Sequence, residues 1–120
     1  MRRVVVIAGA MIAVMVAAAC KAPPQSSDPV ARGRFIYMER CVVCHNQDPN
    51  LPGSQGPPIA RSSRELVAAR VLHLSYPPGY RPKRNSHAMK AMPELAPQID
   101  AITAYLDAAA RPPRRASAHH

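Results

Sequence analysis

The sequence predicts a small all-α domain of three to five short helices and loops, on three observations. Apolar residues recur at helical spacing in residues 30–40, 64–74 and 99–106. No stretch reads as a strand. The part between the chain's two ends, residues 30–106, has fewer than 80 residues. A core of that size ordinarily needs a staple such as disulfides or a metal.

The first 19 residues have the layout of an export signal. Arg2 and Arg3 precede an apolar run from Val4, which ends in Ala17, Ala18 and Ala19. Residues 4–19 would cover roughly 24 Å as a helix, short of a bilayer core of about 30 Å, so an uncleaved anchor is the second choice. Cys20 follows directly. The stretch Val16–Cys20 resembles a bacterial lipoprotein signal, with Ala17 where leucine is usual, and the resemblance implies lipid on Cys20. An ordinary cut nearby would instead leave an odd thiol in an oxidising compartment. Residues 20–29, rich in Pro and Ser, read as a flexible tether.

The first helix begins at Asp28-Pro29 and leads through Phe35 and Tyr37 into Cys41-Val42-Val43-Cys44-His45. Two thiols at this spacing can each add to a vinyl group of one porphyrin, and the adjacent His45 then offers its imidazole to the iron. A dithiol redox motif would want a thioredoxin-like βαβ chain, and zinc would want a second ligand pair; neither is present. A structural disulfide leaves His45 without a role. Haem c, one and covalent, is the cofactor this reading implies, and it would supply the missing staple.

With these residues the chain resembles the class I cytochrome c family, monohaem and bacterial in type. Gly33, eight residues before Cys41, and Tyr37, four before it, match that family's first helix, and Tyr105-Leu106 matches its last. The resemblance implies that the two helices cross, with Gly33 letting Tyr105 pack close. Gly56-Pro57 follows His45 at the family's distance, which implies a bond from the ligand imidazole to the Pro57 carbonyl. Such a bond fixes the tautomer and raises the ligand's basicity. Ile59 then falls where the family sets an apolar residue on the porphyrin.

Ser62 or Ser63 caps the second helix, Arg64 to Leu74, with Leu66, Val67, Val71 and Leu74 on its apolar side. Residues 76–85 hold three prolines and a glycine and must be irregular. Tyr76, Tyr80, Arg81, Lys83 and Arg84 there could close the haem edge or bond a propionate, or form an ordinary solvated loop.

The family's sixth ligand is a methionine shortly before the last helix, and two stand here. Met89 is 16 residues before Tyr105 and Met92 is 13. The family spacing favours Met89, with Met92 as an apolar packing residue before Pro93. Met92, His87 or an open site are the alternatives. Met38, on the first helix, and His73 read as core or surface residues. The last helix starts near Pro97, a residue suited to a first turn. Residues 107–120 read as a disordered basic tail, with His119 and His120 solvated.

The chain has 16 Lys and Arg against 7 Asp and Glu, a formal charge of +9, or +7 without Arg2 and Arg3. An exported basic domain without a reading motif argues against nucleic acid. The charge suits acidic redox partners or an anionic membrane surface. The sequence therefore predicts an electron carrier rather than an enzyme, lipid-anchored on the periplasmic side of a bacterial membrane, with a protein donor and acceptor. A haem relay within a larger oxidase or dehydrogenase complex is the alternative. A haem enzyme with an open sixth site, served by His87 or His73, is a third reading.

Overall fold

A computed structural model describes residues 26–112. The leader, Cys20, most of the tether and residues 113–120, with His119 and His120, lie outside the described residues. Three α-helices form: α1 (Pro29–Arg40), α2 (Arg64–His73) and α3 (Ile99–Ala108), with a 3₁₀ helix (Pro93–Gln98) leading into α3. No strand forms among the described residues.

Each helix start has a local cause. The Asp28 side chain accepts a hydrogen bond from the Val30 amide at 3.0 Å, and Pro29 occupies the first turn, where its missing N–H costs nothing. Ser63, not Ser62, caps α2 by accepting from the Leu66 amide at 3.2 Å. The α2 helix ends at Leu74, which takes a left-handed conformation (φ 54°) and donates its amide to the Arg70 carbonyl at 3.2 Å. The approach to α3 differs from expectation: α-geometry starts at Ile99 rather than at Pro97. A proline at 97 lacks the amide for an i−4 bond and its ring crowds the carbonyl four residues back, so residues 93–98 take the tighter helix instead.

Packing follows from one crossing. Helices α1 and α3 meet at Gly33, where an added Cβ would stand 1.8 Å from the Ala101 carbonyl oxygen and 2.9 Å from the Tyr105 Cβ. Any side chain at 33 would push the helices apart, at a cost of about 3 kcal/mol. The close approach lets the Tyr37 and Tyr105 rings meet at 5.2 Å, tilted by 53°. Around them Ile36, Val71, Leu95, Ile99, Ile102 and Leu106 form a single buried cluster. Met38 packs against it from the side, a core role.

The ordered chain continues past the expected boundary at 106. Helix α3 runs to Ala108, and Arg111 bonds Asp48 through its guanidinium and the Asn50 side-chain oxygen through its amide at 2.9 Å. Asn50 in turn donates to the Ala109 carbonyl at 2.9 Å. Residues 107–111 thus latch the end of α3 onto the loop that follows His45.

Candidate functional site

The Cys41–His45 segment extends α1 by one tight turn. The Cys41 amide donates to the Tyr37 carbonyl at 2.9 Å, and the Cys41 carbonyl accepts from the Cys44 amide at 3.2 Å and the His45 amide at 2.9 Å. The turn brings both thiols and the imidazole to the end of one helix. Both cysteines are free and half-buried. Burial pushes the Cys41 thiol up to about 11, against a weaker pull downward from Arg40.

His45 is the most constrained of the three. Its Nδ1 lies 3.1 Å from the Pro57 carbonyl oxygen. A carbonyl can only accept, so Nδ1 carries the proton and Nε2 keeps its lone pair for a ligand. Burial lowers the His45 pKa from its usual value; the Pro57 bond opposes this and the Arg84 charge adds to it. The net direction favours the neutral, ligating imidazole.

The ring also has a floor. An added Cβ at Gly56 would stand 2.4 Å from both Nδ1 and Cε1 of His45, so only glycine lets the imidazole lie here. A Cβ added at Gly53 would likewise stand 2.3 Å from the Cys44 carbonyl oxygen. That carbonyl accepts from the Gln55 and Gly56 amides at 3.1 and 2.9 Å, folding the loop back under the histidine. Tyr37, fully buried, donates its hydroxyl to the Asn46 carbonyl at 2.5 Å. Burial, with the neighbouring Cys41, holds that hydroxyl far above the ordinary tyrosine value, so it stays a donor.

The remaining expected site residues divide. Ile59, Met89 and Met92 pack against the buried cluster that Cys41 also touches. Ile59 is anchored by its amide, 2.9 Å from the Pro49 carbonyl. Met92 donates its amide to the Val71 carbonyl at 2.7 Å and accepts from Leu95 at 3.0 Å, so its backbone is pinned to the end of α2. The Met89 sulfur lies 4.0 Å from Arg70 Nη2. Tyr80 stacks on Tyr76 (5.4 Å, 10°) and lines a cleft of about 490 Å³ with Ser63 and Lys83, to which His45 does not contribute. His87 is exposed and lines another cleft, of about 430 Å³, with Arg70, Tyr76 and Arg84; His73 is exposed on α2.

Residues 76–85 have attachments that the sequence did not suggest. Lys83 Nζ donates to the Pro58 carbonyl at 2.9 Å, and Arg84 donates to the Gly53 carbonyl at 3.3 Å. This loop therefore reaches from α2 to the segment under His45. Neither bond has a sequence signature, because each joins a basic side chain to a backbone oxygen some 25 or 31 residues away.

The donors of this turn comprise one constrained imidazole and two free thiols, and the thioethers of Met89 and Met92 pack against the same buried cluster as Cys41. No group of three or more His, Cys, Asp or Glu among the described residues could hold a metal ion. An imidazole with its Nε2 lone pair free and two thiols on the same turn could hold a prosthetic group. Comparison with protein-family models, with curated proteins and with solved structures found no match for this chain.

Proposed function

We propose that this chain is a monohaem c-type cytochrome that carries single electrons between redox proteins. The observation that carries the reading is the fixed tautomer of His45: Nδ1 bonded to the Pro57 carbonyl, the ring floored by Gly56, in a turn that also presents Cys41 and Cys44. The two thiols would bind the haem c covalently, and His45 and Met89 would hold its iron. When bound, the haem supplies a one-electron ferric–ferrous couple, and a thioether ligand raises its potential.

The chain's own residues do the rest. Pro57 holds the imidazole proton on Nδ1 and makes Nε2 the better donor. Ile59 packs against the buried cluster around Tyr37 and Tyr105, where it would offer an apolar contact to the porphyrin. Met89 is taken as the iron ligand on the family spacing, with Met92 as the alternative; the Met92 backbone, bonded to Val71 and Leu95, suits a packing residue. Lipid on Cys20 would hold the domain at the periplasmic face of a membrane, where c-type haem is attached, and the basic surface would draw acidic donors and acceptors at low salt.

Expression in a host that attaches c-type haem tests this. The mature protein should gain the mass of one haem that resists acid–acetone extraction, and Cys41→Ala with Cys44→Ala should abolish the gain. The spectrum should be six-coordinate and low-spin, with a sulfur-to-iron band that Met89→Ala removes. A high-spin ferric spectrum in the parent protein would replace the carrier with the open-site enzyme. Stable co-purification with a membrane oxidase or dehydrogenase would favour the relay. Cys20→Ala should release the protein from membranes.

A further inference from the structure

Arg70 is the one cation of α2 that three separate groups hold in place. Its Nη1 donates to the Leu74 carbonyl at 2.6 Å, and its Cζ lies 4.3 Å from the centre of the Tyr76 ring. Tyr76 is itself stacked on Tyr80 at 5.4 Å. A second guanidinium nitrogen, Nη2, lies 4.0 Å from the Met89 sulfur. A guanidinium is planar, permanently charged and able to bond a carbonyl and lie on a ring face at once, which a lysine ammonium does less well. The left-handed turn at Leu74 is what directs that carbonyl back at Arg70.

We propose that Arg70 is a positioning residue for the Met89 sulfur, which it aims and whose donor strength it tunes. The inference rests on the haem reading above and on Met89 as the axial ligand. With Nη2 donating to one lone pair of the thioether, the other would be left for iron. The fixed positive charge beside the sulfur disfavours the additional positive charge of the ferric state. Arg70 therefore adds to the preference for ferrous iron that the thioether already confers, and the Tyr76–Tyr80 stack serves as its backing.

The test measures midpoint potential and the sulfur-to-iron band of full-length holoprotein carrying Arg70→Gln, Arg70→Lys, Met89→Ala or Met92→Ala. Arg70→Gln should shift the equilibrium about tenfold toward ferric, about 59 mV for one electron, and keep the band. Arg70→Lys should recover part of that shift because the charge remains. An unchanged potential in Arg70→Gln overturns the proposal while the cytochrome reading stands. Loss of the band in Met92→Ala but not in Met89→Ala overturns both the proposal and the ligand choice, and leaves covalent haem untouched. Absence of covalent haem overturns the functional reading and this proposal together. If Arg70→Gln does not fold, Tyr76→Leu takes its place: a smaller shift toward ferric supports the backing role, and no shift overturns it.

Discussion

The segment carrying His45 and the segment carrying Met89 are held by different means. The first is knit by backbone: the Cys41, Cys44 and Pro49 carbonyls each accept two amide bonds, and Gly53 and Gly56 sit in direct contact with the Cys44–His45 backbone and ring. The second has almost none of this. Among the described residues, 81–91 make no backbone–backbone hydrogen bond. Arg70, Lys83 and Arg84 secure that stretch instead, through long side chains that reach a sulfur or a carbonyl. Backbone ties between buried groups open only with the surrounding structure, whereas exposed side-chain ties open locally. The His45 side is thus built as a rigid seat and the Met89 side as a flap with cationic fastenings.

The largest break in this comparison comes from the seat. Gly56→Ala places a Cβ against the His45 ring, forces it from the Pro57 carbonyl, and should cost about 2 kcal/mol in denaturant unfolding. Removing a fastening should cost less. Lys83→Ala gives up one exposed bond to the Pro58 carbonyl and should lower stability by under about 1 kcal/mol. In hydrogen exchange, the amides of 81–91 should nonetheless exchange much faster than those of 53–60, and Lys83→Ala should widen the gap. Equal protection of the two segments would erase the distinction.

The smallest effect concerns the latch between the seat and α3. Bonds from the Asn50 side chain and amide, then the Arg111 charge, lower the Asp48 pKa from its usual value. A depressed carboxylate contributes stability above its unfolded value of about 3.9 and loses it as pH falls through the lower folded value. The latch should therefore hold at neutral pH and weaken in acid. Amides near Asn50 and Ala109 should lose protection together below about pH 4, and Asp48→Asn should remove that pH dependence.

Local features were the legible ones. Asp28-Pro29 and the Ser62-Ser63 pair announce helix starts because a cap acts on amides two or three residues away, and the structure selects Ser63 of the pair. Gly33 and Tyr105 mark a crossing through a resemblance rather than a pattern, and the structure gives its reason: a backbone carbonyl occupies the space of the missing Cβ. The 3₁₀ helix at 93–98 is not legible because Pro97 suits a helix start in isolation, and only the turn already begun at Pro93 makes it an interior proline. The latch through Arg111 has the sequence of a tail, since nothing in a run of Ala, Arg and Pro reports a partner at Asp48 and Asn50.

By itself, then, the sequence determined the helical class, the helix caps, and the Cys41, Cys44, His45 and Pro57 spacing. All of these are properties of residues near one another in the chain, or at a set distance along it. Tertiary structure decided where the 76–85 loop attaches, that Tyr80 pairs with Tyr76, and that Arg70 faces Met89. Those contacts depend on where α2 ends in space and which way Leu74 turns the chain. A long basic side chain can satisfy itself at many carbonyls, so its partner is set by the packed fold and not by its neighbours in sequence.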